Sequence, residues 1–353
     1  MSVVRLLLLP FSWLYGAVLL VRHALYDHGV FESVRPSLPT IVIGNLALGG
    51  TGKTPMMELL LRVLEGDTPM VTLSRGYGRK GSHLHEVSAN DTAEAVGDEP
   101  LQIKGKFPAA HVFVGADRGK CIKAIHDQLS GAKAVLLDDA FQHRRLNASL
   151  SILLTTFQRP WCDDHLLPAG RLRDLPSRRK AAQIVVVTKC PTLPDGPEQE
   201  RWRKRLGLHA NQHLFFSGIE YEASKPLAGD GVPRAGLTTD NCLLFTGIAD
   251  PTPLVDHARR IFNNVDHMAF PDHHPFSKAD LAALAGRYAT FAPGPKMLIT
   301  TEKDAMRLRS VIKGSPLEKL PIGVIGMRAT MLNEPERFAS LIRDHVATNT
   351  AHR

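Results

Sequence analysis

Cysteine is scarce in this chain. Its 353 residues hold four, Cys121, Cys162, Cys190 and Cys242, with no two closely spaced and none in a C-x-x-C pair. That argues against a disulfide scaffold and against a thiolate zinc centre, and fits thiols kept reduced. Aromatic residues are 6% and few stand among the arginines, which argues against a nucleic-acid groove of stacked bases. There is no internal repeat and no low-complexity tract, and only one long apolar run. What is present is a globular balance, 44% hydrophobic and 22% charged, which excludes a wholly disordered chain. The 43 Lys and Arg exceed the 35 Asp and Glu, a formal net charge of +8 that favours anionic partners without choosing among them. The length suits about two domains.

The apolar run lies at the amino terminus. Leu6 to Val21 is apolar apart from Ser12, contains Trp13 and Tyr15, and is bracketed by Arg5 and Arg22. A signal peptide fits poorly, because no small-residue cleavage site follows and a nucleotide-type loop comes soon after. A full span would need about 20 apolar residues, and this run is shorter and carries Pro10. An interfacial helix fits best, with leucines dipping toward acyl chains and arginines at headgroup level.

Past Pro39 the pattern becomes α/β. Short β-type runs recur at Thr40 to Ile43, Met70 to Leu73, His111 to Val114, Ala134 to Leu137, Leu150 to Thr155 and Ile184 to Val187. Helical stretches between them predict a mostly parallel sheet covered on both faces. A polar connector with Pro191, Pro194 and Pro197 precedes a surface helix. Further strand-like runs follow at Leu243 to Thr246, Met297 to Ile299 and Gly323 to Ile325, and the polar tail from His345 is expected to fray. The expected division is 1–30 as a membrane-associated helix, 31–205 as a phosphate-loop nucleotide-binding domain, and 206–345 as a smaller α/β domain.

The sharpest local signal is Gly49-Gly50-Thr51-Gly52-Lys53-Thr54, set between a strand and a helix. Its glycines let backbone N–H groups converge on an anion, and the helix adds the positive end of its dipole. Lys53 can reach the β and γ phosphates, and the Thr54 hydroxyl can ligate Mg²⁺. The usual formula places glycine where this chain has Ala47, so the match is not strict. The run Ala134 to Leu137 ends in Asp138 and Asp139, acids suited to magnesium beside a phosphate loop, with Asp138 expected closer to the metal. If the strand continues, their side chains point to opposite faces.

A phosphate loop alone does not separate kinase, ATPase and GTPase. Thr188-Lys189 lacks the nearby aspartate of the GTPase pattern. Gly97-Asp98-Glu99-Pro100 reads as an acidic turn, and Phe270-Pro271-Asp272-His273-His274 places two histidines beside an acid. A carboxylate paired with a histidine is a workable base for a hydroxyl. Zinc on Asp272, His273 and His274 is a poor fit, since adjacent histidines rarely converge on one ion. Ser74 to Lys80 and Gly170 to Arg173 are basic clusters that could clamp phosphate, or could be solvated surface.

Taken together and in order, these motifs carry a resemblance. The chain resembles the tetraacyldisaccharide 4'-kinase family over most of its length. The marks are Gly44-Asn45, the run Gly49 to Pro55, Ser74 to Arg79, Gly97 to Pro100, Asp138 to His143, Leu167 to Arg173, Phe270 to His274 and Thr301-Glu302-Lys303-Asp304. The family shares the departure at Ala47. The resemblance implies a membrane-associated P-loop kinase of two α/β domains with its active site in the cleft between them. It implies ATP and Mg²⁺, and γ-phosphoryl transfer to the 4'-hydroxyl of a tetraacylated glucosamine disaccharide 1-phosphate. The catalytic carboxylate falls on Asp98 and its paired histidine on His273, with Lys53 on the phosphates and Thr54, Asp138 and Asp139 on the metal. Asn45, Arg75, Arg79, Gln142, His143, Arg171 and Arg173 are substrate-binding candidates without individual roles. The implied partners are the acylated lipid and a membrane surface, with no nucleic acid and no protein partner required. The implied location is the cytoplasmic face of the bacterial inner membrane.

Overall fold

A computed structural model describes residues 3–351, apart from 67, 68, 77, 78, 80, 82 and 228–239. Tyr77, Gly78 and Lys80 of the first basic cluster therefore lie outside the described residues. In chain order the strands are β1 Thr40–Asn45, β2 Val71–Ser74, β3 His85–Glu86, β4 His111–Val114, β5 Val135–Asp138, β6 Leu150–Thr156 and β7 Ile184–Thr188, then β8 His213–Tyr221, β9 Lys225–Pro226, β10 Asn241–Thr246, β11 Asn264–Ala269, β12 Lys296–Thr301, β13 Ile322–Ile325 and β14 Met327–Met331.

The chain divides into two units. The first comprises Met1–Val87, Phe107–Ile219 and Ala329–Arg353, and the second Ser88–Lys106 and Glu220–Arg328. The expected boundary at 205/206 is not where this division falls. Ser88–Lys106 joins the second unit because its helix Asp98–Lys106 packs there, with Lys106 Nζ 3.0 Å from Glu302 Oε2. Ala329–Arg353 returns to the first unit, where Phe338 meets Phe215 edge-on and Arg343 Nε donates to the Val63 carbonyl. The tail expected to fray from His345 instead continues a helix, Pro335–Ala351, with Ile342 and Val346 buried. Apolar residues at helical spacing outweigh its polar composition.

The first unit is built on a nine-stranded sheet of order β14-β8-β7-β6-β1-β5-β2-β4-β3. From β8 through to β4 the pairings are parallel, and β3 runs antiparallel at the edge. β1 is buried along its whole length, as β-branched Thr40, Ile41, Val42 and Ile43 demand of a central strand with both faces covered. Its core gathers Val42, Leu46, Phe113, Val135, Leu137 and Val185. Parallel pairing brings the carboxyl ends of β1, β5, β6 and β7 to one edge of the sheet, the edge where open α/β folds present their sites.

The amino-terminal helix, Val3–Asp27, lies on this unit. Ser12, Gly16, Leu19 and His23 are its buried positions, a spacing of one helical face. Ser12 Oγ donates to the Leu166 carbonyl and accepts from Ala169 N, Tyr15 OH donates to the Arg173 carbonyl, and Arg22 donates to the Gln142 carbonyl. A Cβ on Gly16 would stand 2.9 Å from the tip of the Leu166 side chain, which would have to shift to admit it. The opposite face exposes Leu7, Phe11, Trp13, Leu14, Val18 and Val21. By length and composition this helix could cross a membrane.

The second unit has a five-stranded sheet of order β11-β10-β12-β13-β9, parallel except for β9. Alternation along β10 sends Leu243 and Phe245 into one core, with Leu284 and Leu298, and Cys242 and Leu244 into the other, with Met297 and Ile299.

Candidate active site

Among the described residues, each unit holds a cluster of chemistry-bearing side chains. In the first, β1 ends at Asn45 and the loop to Gly52 leads into helix Lys53–Val63, seated by buried Met56, Met57, Leu60 and Leu61. Gly49 and Gly52 take positive φ, 104° and 86°, and Gly52 caps the helix in the left-handed region. Only glycine adopts both conformations without strain. The loop is braced from beneath. Asn45 Nδ2 donates to Thr51 Oγ1 at 2.7 Å, and Thr188 Oγ1 donates to the Thr51 carbonyl at 2.8 Å. Gln142 Nε2 donates to the Asn45 carbonyl at 2.7 Å. Gly44 lets the Phe141 loop pass, since a Cβ there would stand 2.4 Å from Phe141 Cβ. Gly50 belongs to the same loop, and Thr54 lies in the first turn of the helix.

Lys53 Nζ is 3.9 Å from Asp139 Oδ1, and Arg173 forks onto both Asp139 oxygens while reaching Asn45 Oδ1. Burial alone would raise the Asp139 pKa. The Arg173 hydrogen bonds, with the charges of Lys53, Arg173 and Arg118, outweigh it and hold the carboxyl below its ordinary value. Strand β5 stops at Asp138, and Asp139 turns away at φ 49°. The expected strand alternation between the two acids therefore does not apply, because the backbone leaves the extended region between them. Buried Arg118 donates to the Asp138 carbonyl, and its pKa is lowered by burial first and then by nearby Arg75. The cluster thus sets the half-buried Asp139 among three cations, with Arg118 the most buried of them.

The remaining arginines are engaged within the protein. Arg171 Nε donates to Asp164 Oδ2 at 2.8 Å, while its backbone carbonyl accepts from Leu48 N and so pins the phosphate loop. Arg79 donates to the carbonyls of Gly81, His83 and Val114, which ties its own loop together. His143 is half-buried, and burial followed by the charge of Arg118 lowers its pKa. Asn45, Gln142 and Arg173 are thereby brought to the phosphate loop, and Arg171 lines a cavity with Gly49, Gly50 and Thr51.

A magnesium ion suits this donor set. Asp138, Asp139 and Thr54 offer hard oxygens, and Mg²⁺ takes one or two carboxylates plus phosphate oxygens and waters in place of a protein cage. Among the described residues no three His, Cys, Asp or Glu gather as such a cage.

The second cluster is assembled by the second unit. Asp98 opens helix Asp98–Lys106 after Gly97 (φ 94°), so the acidic turn expected there is a helix start. Across from it, His273 Nδ1 lies 3.0 Å from Asp98 Oδ2. Burial raises the Asp98 pKa, but the His273 hydrogen bond and the charges of Lys303, His273 and Arg307 dominate and depress it. The hydrogen bond to Asp98 raises that of His273, against burial and Lys303. His273 itself sits at φ 58°, held by donation from its N–H to the Gly247 carbonyl. Fully buried Asp304 fixes Gly247 in turn, accepting from Gly247 N, Thr301 Oγ1 and Arg307. A Cβ on Gly247 would come 3.0 Å from Asp304 Oδ1, a tight fit against that buried carboxylate. The neighbouring histidine diverges: His274 Nε2 bonds Asp280 at 3.0 Å and its ring stacks on Phe270. The poorly fitting zinc arrangement is thus unsupported, since the two imidazoles serve different partners.

Residue reading missed Thr188 as a brace of the loop, Arg118 beside Asp138, and Lys303, Asp304 and Arg307 around the Asp98–His273 pair. The motif Thr301-Glu302-Lys303-Asp304 was a visible signal without a role.

Comparison with known proteins agrees across the chain. The family described as tetraacyldisaccharide-1-P 4'-kinase matches residues 4–347. A tetraacyldisaccharide 4'-kinase of Flavobacterium johnsoniae is 38% identical over 349 residues, covering 99% of both chains. One from Bacteroides thetaiotaomicron is 41% identical over 97% of this chain and 93% of its own. Among solved structures, the "apo" form of LpxK from Aquifex aeolicus in complex with ATP superposes with a TM-score of 0.73 at 27% identity, over 97% of this chain and 99% of that one.

Proposed function

We propose, from the premise that this chain belongs to the tetraacyldisaccharide-1-P 4'-kinase family, that it transfers the γ-phosphoryl of ATP to the 4'-hydroxyl of a tetraacylated glucosamine disaccharide 1-phosphate. The reading is carried by one observation: a chain matched over residues 4–347 keeps both the braced phosphate loop and the Asp98–His273 contact.

In this reading the first unit serves the donor. Backbone N–H groups from Gly49 to Lys53 cradle phosphate oxygens, and Lys53 neutralises charge on the transferring group. Arg173 bridges Asp139 and Asn45, with Lys53 Nζ 3.9 Å from the same Asp139 carboxylate. Mg²⁺, when bound, would offset phosphate charge, held by Thr54, Asp138 and Asp139. The second unit serves the acceptor. Asp98, ionised well below neutrality, takes the proton of the attacking hydroxyl, and His273 orients the carboxylate.

The amino-terminal helix supports attachment in the plane of the membrane. Its polar groups bond to 142–173 along one face, so lipid cannot surround it, while its other face offers a row of large apolar side chains. An acceptor with four acyl chains stays in the bilayer, so a kinase held at that surface searches two dimensions for it. The cytoplasmic leaflet is where ATP and the basic net charge are both useful.

The test is transfer from γ-labelled ATP to detergent-dispersed disaccharide 1-phosphate lipid, with Mg²⁺ present and then chelated. A magnesium-dependent, doubly phosphorylated lipid is expected. Label appearing only as inorganic phosphate, with intact protein and demonstrated lipid binding, would overturn the acceptor assignment.

A further inference from the structure

The second unit contains a cation that the mechanism above does not use. Lys303, in helix Glu302–Arg309, places Nζ 2.9 Å from His273 Nε2. It is largely buried and also stands 3.5 Å from Glu99 Oε1 and 3.8 Å from Asp272 Oδ1. At 2.9 Å one of the two nitrogens must present a lone pair. An ammonium has none, so Nε2 is the acceptor and the single proton of a neutral imidazole sits on Nδ1. Nδ1 is the nitrogen that faces Asp98 Oδ2 at 3.0 Å.

We propose that Lys303 is a positioning residue that fixes the His273 tautomer, so that the ring offers Asp98 an N–H and stays neutral while Asp98 acts. This rests on the reading of Asp98 as the base. The physical reason is the proton affinity of the carboxylate. A neutral Nδ1–H donor orients Asp98 and leaves it basic, whereas an imidazolium would lower its affinity for the hydroxyl proton. The opposite tautomer would turn a lone pair toward the carboxylate and lose the contact.

The charged groups around the ring act in both directions. Asp98 and Glu99 from helix Asp98–Lys106, and Asp272 from the ring's own loop, favour the imidazolium. Lys303 and Arg307 from helix Glu302–Arg309 oppose it. His274 is turned to Asp280. Removing Lys303 removes a cation in hydrogen-bond contact with Nε2.

The test follows His273 by long-range ¹⁵N–¹H NMR of histidine-labelled full-length protein, with the signal assigned by its loss in His273→Gln. In the wild type the neutral ring is expected as Nδ1–H with bare Nε2. Lys303→Met should raise the ring's titration midpoint by about one pH unit. It should also lower kcat/KM at neutral pH roughly tenfold, with recovery at higher pH as the acid limb moves by the same amount. Lys303→Arg should leave midpoint and limb near those of the wild type. A wild-type ring protonated at Nε2, or a midpoint unmoved in Lys303→Met, would overturn the proposal. The readout needs no turnover. If Asp98→Asn keeps full activity, the base assignment fails whatever the spectrum says. If Asp98→Asn is inactive and the spectrum is wrong, only the role of Lys303 fails.

Discussion

Asp98 and Asp139 are both carboxylates that burial would protonate and basic partners keep ionised, yet they do different work. Asp98 has one histidine contact and a half-open ring beside it, as a base needs. Asp139 is forked by Arg173 beside Lys53, which keeps its carboxylate charged at the phosphate loop. Asp98→Asn and His273→Ala are each expected to lower kcat by roughly 10², with KM for ATP little changed, in steady-state transfer assays. Unchanged turnover in both would sink the pair. For Asp139 the sign of the pH dependence follows from its depressed pKa. Its ion pairs contribute stability above the ordinary carboxylate pKa and lose it as pH falls through the lower folded value. Thermal melts should therefore show Asp139→Asn below the wild type at about pH 6, with the gap closing below about pH 4. An equal gap at both pH values would mean that packing, not charge, sets the loss. At this scale the phosphate loop was legible because its chemistry is local. Lys303 and Arg307 were not, because nothing in their neighbours' identity says which histidine or carboxylate they will meet.

At the scale of elements, the amino-terminal helix is the most instructive. In the sequence, Ser12 reads as the polar interruption of an apolar run that holds Tyr15, and His23 lies beyond its end. In the fold they form the docking face, and His23 Nε2 closes on buried Asp174 at 2.6 Å. The apolar residues, which a core would normally bury, are the exposed ones. Replacing Trp13, Leu14 and Val18 together by serine should weaken co-sedimentation with anionic vesicles by at least about tenfold. Transfer to a short-chain, water-soluble acceptor should be unaffected. Loss of that activity would show that the exposed face supports the fold as well as the membrane contact.

For the whole molecule, the first cluster is set by Asn45, Gln142, Arg173 and Thr188, and the second by Gly247, Asp304, Lys303 and Arg307. Lys53→Ala is expected to abolish ATP binding, measured by calorimetry. Unchanged ATP affinity in that variant would show that Lys53 does not reach the phosphates.

The sequence by itself determined what depends on near neighbours: the alternation of strand and helix, the glycine-rich loop with Lys53, the acids ending β5, and the one apolar helix. Tertiary structure decided what depends on distant segments meeting. It set Ser88–Lys106 into the second unit, which is why Asp98 finds His273. It ended β5 at Asp138 and turned Asp139 toward Arg173. It also chose which face of the amino-terminal helix is covered. Local propensity and spacing are written along the chain, whereas a contact between distant residues exists only once the intervening segments have packed.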